Sequence, residues 1–481
     1  MRIFCFVIAT LFFPFSEKTA SQTSIERFLN AHYMKGVSVS FMVKDIVSDT
    51  VVYRYDADRE VIPASVLKIV TTASALEMLG DQFRFETTIL YDGFIKDSIL
   101  EGNLYILGSG DPTLGSSEMG ADRDKIMRSW IKYLKSKGIR IVNGSVIADE
   151  SIFDFEGISP KLLLEDMGSY YAPGSYGINI FDNRYTLFLR TGELNTKPEI
   201  VSTEPNMPSI LFYNQLITAH SDKDSMFILG FPFSNERFLY GTVPANRTLY
   251  QLKGDIPEPS LFLAHYFTKL LVTDSIKVNG EPSCYRILSL HNGWQNQKRF
   301  PFMTSYSLPL KELVRITNHS SHNLYADILL KTIGLKTQTD ATVSSFGKGA
   351  SIVKKFWEEK GLNTSSLWMY DGSGIAASDK LTAAFVCDIL TYMYKDSPYA
   401  TTFIESIPRA GMEGTVANML RGSSLHGVAR LKSGSMSRVR SYAGYILKDG
   451  KAYAVAIIVN NFSCTQAQIK SDIEKLLLSL F

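Results

Sequence analysis

The segments with the clearest strand and helix patterns lie at opposite ends of the chain, and this constrains the fold more than any other feature. Near the start, Val37, Val39, Phe41 and Val43 alternate with other residues; after a polar turn at Asp45–Asp49, Val51-Val52-Tyr53-Arg54-Tyr55 follows. These two runs predict a pair of antiparallel strands. Pro63 and Gly80 then bracket a stretch, Val66–Leu79, whose Leu67, Val70, Ala75 and Leu79 fit a mostly buried helix. Near the end, Ser441–Leu447 and Ala452–Val459 are runs of β-formers joined through Asp449-Gly450, a hairpin signal. The final segment, Gln466–Phe481, repeats Ile469, Ile473, Leu476, Leu477 and Phe481 as a helical stripe. Together the ends predict one α+β domain with an antiparallel sheet flanked by helices. The middle is then an insertion. From 91 to 299 it mixes short strand-like runs (Ile141–Ile147, Tyr185–Leu189) with Gly, Pro and Asn turns and one helix candidate at Asp122–Ser136, so it reads as mainly β, without a fixed repeat.

A length of 481 residues is enough for about three domains and a substantial core. Apolar residues at 45% and charged residues at 20% exclude a disordered chain. A net charge of +2, with no basic block interleaved with aromatics, gives a nucleic-acid partner nothing to bind. Arg2, the apolar run Ile3–Phe15 and the polar stretch Ser16–Gln22 follow the order of a secretory signal peptide, here placed at 1–22; a buried N-terminal helix is the other reading. The run is shorter than the roughly 20 residues of a bilayer span, so the mature chain is expected to be exported and at most peripheral to the membrane. Cys5 falls in that leader, leaving Cys284, Cys387 and Cys464 to form at most one disulfide, with Cys387 expected as an inert core thiol. The seven histidines show no metal-ligand spacing, and no metal or cofactor is called for.

Three short motifs carry chemistry. Ser65-Val66-Leu67-Lys68 is an S-x-x-K tetrad; Ser129/Lys132, Ser345/Lys348 and Ser351/Lys354 match the same pattern, but Ser65 alone opens an apolar helix after a Pro-Ala turn. There the hydroxyl sits at the positive end of the helix dipole and Lys68 lies one turn along the same face. A desolvated lysine can lose its proton and act as general base toward a hydroxyl that is otherwise a poor nucleophile. An N-capping serine with a snorkelling lysine would leave the same trace. Ser321-His322-Asn323 is the only S-x-N in the chain, offering a second hydroxyl for proton relay and an amide to hold a substrate carbonyl, although it also suits an ordinary helix start. Lys432-Ser433-Gly434 is the only K-[ST]-G. On an edge strand its Lys and Ser can grip a carboxylate and its Gly lets a substrate backbone approach; a charged, solvated edge is the alternative.

In this order the three motifs are the S-x-x-K, S-D-N and K-T-G set of the serine β-lactamase and penicillin-binding superfamily. The chain resembles that superfamily, and within it the D-alanyl-D-alanine carboxypeptidases/endopeptidases with a large insertion between the first two motifs, here residues 69 to 320. Gly108–Leu114, Asp149–Asp154, Asn318–Asp327 and Tyr370–Ile375 agree with that branch. The resemblance implies a penicillin-binding (β-lactamase/transpeptidase-like) domain from 23–90 and 300–481, an inserted domain from 91–114 and 185–299, and a third nested at 115–184. It implies peptidoglycan stem peptides as substrate, β-lactams as covalent inhibitors and the cell envelope, or periplasm, as location. It also assigns roles: Ser65, Lys68 and Ser321 catalytic; Asn323, Lys432, Ser433 and Gly434 substrate-binding; the backbone N–H groups of Ser65 and Ser435 an oxyanion site; and Asp166 and Tyr171 lining the subsite for the stem side chain. His322 stands where the family has Asp, Ser433 where it has Thr, and Ala377 where an Arg often reaches the stem side-chain carboxylate. A β-lactamase or esterase of the same superfamily, and a penicillin-sensing or peptidoglycan-binding protein without turnover, are the other readings.

Overall fold

The structure, a computed structural model, describes residues 20–290, 297–336 and 342–481. The leader expected at 1–22 falls mostly on residues 1–19, outside the described residues; a helix, Ala20–Leu29, opens the described chain.

The two ends of the chain meet in one five-stranded antiparallel sheet. Its order is Ala429–Met436, Val439–Lys448, Lys451–Asn460, Ser38–Asp45, Thr50–Tyr55, with Phe41 of the N-terminal hairpin opposite Ile457 of the C-terminal one. Along Lys451–Asn460, Ala452, Ala454, Ala456 and Ile458 face one core, while Val455, Ile457 and Val459 face the other. A strand buried on both faces reads as one continuous apolar run. The alanine-rich face receives the helices, among them Leu67–Leu79, Asn323–Gly334 and Ala383–Lys395; the opposite face is closed by Ala20–Leu29 and Gln466–Leu480.

Helix Leu67–Leu79 runs through the centre, and every side chain from Leu67 to Leu76 is buried. Its polar members are all partnered, as burial demands. Thr71 donates to Gly372 O at 2.6 Å, Thr72 to Lys68 O at 2.6 Å and Ser74 to Val70 O at 2.7 Å, and Ser74 Oγ in turn accepts Trp357 Nε1 at 2.8 Å. Gly80, at φ +84°, ends the helix as expected.

The middle of the chain forms further sheets that draw on both flanking segments. Strand Glu86–Tyr91 pairs with Phe300–Tyr306 and with Leu104–Gly108. Strand Val146–Asp149 pairs parallel with Leu104–Gly108, and helix Lys125–Ser136 packs into the same core. A further core gathers two three-stranded sheets from Arg184–Arg190 to Tyr250–Asp255. Pairings across so many residues leave no mark in local periodicity. Cys284, Cys387 and Cys464 are free thiols, and burial pushes the Cys387 thiol up.

Candidate active site

Ser65 lies in a single 3₁₀ turn, Ala64–Val66, that runs straight into helix Leu67–Leu79. Ala64 takes the left-handed φ of 47°, a conformation costing about 1–3 kcal/mol that the surroundings must hold. They do so from the sheet: Asn460 brackets Ile62 through its N–H (2.8 Å) and carbonyl (3.0 Å), and Ser441 Oγ donates to Pro63 O at 2.6 Å. A third clamp is the loop Asp371-Gly372-Ser373-Gly374, where Gly374 approaches so closely that a Cβ would stand 2.0 Å from Ala64 O.

Lys68 is fully buried, and its three donors go to Ser65 Oγ (2.9 Å), Asn323 Oδ1 (2.6 Å) and Ser373 O (2.6 Å). Burial pulls its ammonium down to about 8, against the opposing pull of Asp327, Asp371 and Asp379. These carboxyls build the clamp. Asp371 accepts the N–H groups of Ser373 (2.9 Å), Gly374 (2.6 Å) and Ala376 (2.8 Å), while Asp327 accepts Gly372 N–H at 2.9 Å. Burial raises Asp327 to about 8, with Asp371 adding to the push.

Ser321 occupies the turn between helices Leu310–His319 and Asn323–Gly334, again with a left-handed φ of 57°. Its hydroxyl accepts from Lys432 Nζ at 2.8 Å, and the same ammonium donates to Ser433 O at 2.7 Å. Lys432 is buried, and burial first, then the nearby Lys68 charge, holds it well below the usual lysine range. Ala429–Met436 is the edge strand expected for Lys432-Ser433-Gly434. A Cβ on Gly434 would lie 3.0 Å from Ser65 N, so only glycine lets this strand sit against the turn of Ser65. Ser433 Oγ is 2.7 Å from Thr415 Oγ1, a partner the sequence reading missed. Ser435 is exposed, opposite Arg440 in the same hairpin.

The three motifs, remote in sequence, therefore form one array of two hydroxyls, one amide and two ammonium groups. The comparisons now identify the lineage: residues 21–479 match the model of the D-Ala-D-Ala carboxypeptidase 3 (S13) family. The chain belongs to this family. It is 26% identical over 456 residues to a D-alanyl-D-alanine carboxypeptidase from an Actinomadura species, covering 92% of this chain and 82% of that one. A D-alanyl-D-alanine carboxypeptidase of Haemophilus influenzae is 24% identical over 446 residues, 91% of this chain and 88% of the relative. The crystal structure of penicillin binding protein 4 from the same organism superposes with a TM-score of 0.80 at 22% identity, over 95% of this chain and 98% of that one, which shows the shared fold. Like the family as a whole, the chain is a serine D-Ala-D-Ala peptidase with a mixed α and β penicillin-binding fold.

The departures from the family pattern take definite positions. His322 turns away from Ser321 and Asn323: its Nε2 lies 3.3 Å from Asp182 Oδ1 and its ring rests on Tyr325 at 4.2 Å between centroids. The hydroxyl of Ser321 and the amide of Asn323 on either side keep their bonds to Lys432 and Lys68. Asp166 and Tyr171 are joined to each other, Tyr171 Oη donating to Asp166 Oδ1 at 2.8 Å, rather than to the lysine network. Tyr171 meets that network through its backbone, where its carbonyl accepts Asn323 Nδ2 at 2.6 Å. Burial raises Asp166 above the usual carboxylate range. At Ala377 the carbonyl accepts Lys380 Nζ at 2.9 Å.

Proposed function

We propose that Ser65 forms the acyl-enzyme of a D,D-carboxypeptidase/endopeptidase acting on D-alanyl-D-alanine ends and cross-links of peptidoglycan. The reading rests most on one observation: a fully buried Lys68 bridging Ser65 Oγ and Asn323 Oδ1. A lysine pulled to about 8 has a substantial neutral fraction near physiological pH. In that form it takes the Ser65 proton as Oγ attacks the penultimate D-Ala carbonyl. The C–N bond then breaks, and Ser321, bonded to Lys432, relays to the departing amine the proton that Lys68 took, gaining one as it gives one. Lys432 and Ser433 hold the terminal carboxylate, and Asn323 holds the peptide. The N–H groups of Ser65 and Ser435 take the oxyanion; such donors typically contribute about 3 kcal/mol each. Water releases the acyl group. β-Lactams enter the same route because their ring amide imitates the scissile bond.

The substrate places the enzyme in the cell envelope, and export rests on Arg2 and the Ile3–Phe15 run. The deciding experiment is incubation of the purified protein with a stem pentapeptide and with a labelled penicillin. Steady release of free D-alanine and a long-lived adduct are expected. Rapid drug hydrolysis without D-alanine release would indicate a β-lactamase, and an adduct without any release would indicate a sensor.

A further inference from the structure

The strand that carries Lys432 and Ser433 is the edge of its sheet, and a second segment covers that edge only in part. Leu431 N–H donates to Pro408 O at 3.0 Å and Ala410 N–H to Ala429 O at 2.8 Å, so residues 408–410 run along the edge as far as Leu431. The chain then loops back through 411–416, closed by a 3.0 Å bond from Gly411 N–H to Val416 O. Two contacts fix this loop. Glu413 accepts Arg409 through its backbone N–H (3.0 Å), Nε (2.9 Å) and Nη2 (2.6 Å). Gly414, at φ +53°, lies so near the end of helix Leu310–His319 that a Cβ would stand 2.4 Å from His319 O. Thr415 is thereby set between the second and third motifs, with its Oγ1 2.7 Å from Ser433 Oγ.

That contact gains its meaning from the residue at 433. A K-T-G motif places a β-branched threonine there, whose branching restricts χ1. Ser433 lacks the γ-methyl, so its hydroxyl is free to choose among the staggered positions unless something outside the residue selects one. Thr415 makes that selection. A serine hydroxyl has one proton to give and lone pairs to receive another, so Ser433 can accept from Thr415 and still donate to a carboxylate. Donation in the reverse sense would spend the Ser433 proton on Thr415. An anion beside Lys432 therefore favours the order Thr415 O–H to Ser433 Oγ, then Ser433 O–H to the carboxylate, a chain in which each bond strengthens the next. Lys432 Nζ does not compete for the serine oxygen, because it donates to Ser321 Oγ and Ser433 O.

We propose that Thr415 is a positioning residue for recognition of the terminal carboxylate. Its hydroxyl holds the Ser433 rotamer and turns the Ser433 proton toward the anion, the service that the γ-methyl performs where threonine stands at 433. Thr415 acts through Ser433 and touches no reacting atom. The identity of the anion rests on the D,D-peptidase reading.

The test follows acylation of the full chain by benzylpenicillin, whose free carboxylate stands for that of the peptide, and by its carboxyl methyl ester. Thr415→Ala should slow acylation by the free acid about tenfold, the worth of one hydrogen bond to a charged group, and leave the ester within about twofold. Thr415→Ser keeps the hydroxyl and should keep both rates. Beside Ser433→Thr, the change Thr415→Ala should cost less than about twofold with either compound, because the β-branched side chain holds its own rotamer. Thr415 is exposed, so its truncation leaves the buried core untouched. An equal loss for acid and ester, an unchanged rate for the acid, a loss in Thr415→Ser as large as in Thr415→Ala, or an undiminished loss beside Ser433→Thr overturns the proposal. Each of those results leaves the peptidase reading standing, since the unsubstituted protein is still acylated. If neither compound acylates the unsubstituted protein, the peptidase reading fails and the carboxylate assignment falls with it.

Discussion

A methyl group added at position 434 would stand 2.2 Å from Ser441 Oγ, 2.8 Å from Pro63 O and 3.0 Å from Ser65 N. The first neighbour can rotate away, at the cost of its 2.6 Å bond to Pro63 O. The other two are backbone atoms of the turn that carries the nucleophile. Ordinary contact begins near 3.4 Å. In Gly434→Ala the edge strand must therefore retreat from Ser65 by about half an ångström, taking Lys432 and Ser433 with it. Displacements approaching 1 Å in a positioned site cost up to about a hundredfold in rate, so a tenfold to hundredfold slower acylation by penicillin is expected. Overpacking of this kind costs about 1–3 kcal/mol of stability, so the variant should still fold. Stopped-flow acylation with a fluorescent penicillin, beside a thermal melt, reads both effects. Acylation at the unsubstituted rate would refute the close apposition of the two motifs.

Further outcomes follow from the lysine network. With Lys68 at about 8 and acting as a base, the neutral amine grows as pH rises; acylation should increase about tenfold per unit up to about pH 8 and then level off. A rate that climbs as pH falls would contradict this. Lys68→Arg keeps the charge but gives up the base, and acylation should drop by at least about a hundredfold in the same assay. Asp371→Ala would leave the N–H groups of Ser373, Gly374 and Ala376 without their buried acceptor, at about 1–3 kcal/mol each, and would free the loop that supplies Ser373 O to Lys68. Urea titration should show a loss of several kcal/mol; a change within about 1 kcal/mol would count against the clamp.

What could be read in the sequence was local. The hairpins, the helix after Ser65 and the edge strand with Lys432 each carry a period or a turn signal, and the α+β domain from both ends follows from them. Ser65, Lys68, Ser321, Asn323 and Lys432 stood out because the spacing in each motif is itself the chemistry. The support beneath them did not. Asp327 lies in a helix and Asp371 in a glycine-rich loop, and nothing in either segment shows that both carboxyls meet backbone N–H groups around Lys68. Thr415 became a partner of Ser433 only through tertiary contact. Long-range pairing was illegible for a related reason: Glu86–Tyr91 and Phe300–Tyr306 pair across a span that no window of residues can bridge.

Mass spectrometry of the penicillin adduct tests the central assignment most directly. After labelling and digestion, the acyl group should sit on Ser65, and Ser65→Ala protein should carry none. An adduct on another residue, or equal labelling of the Ser65→Ala protein, would contradict the account.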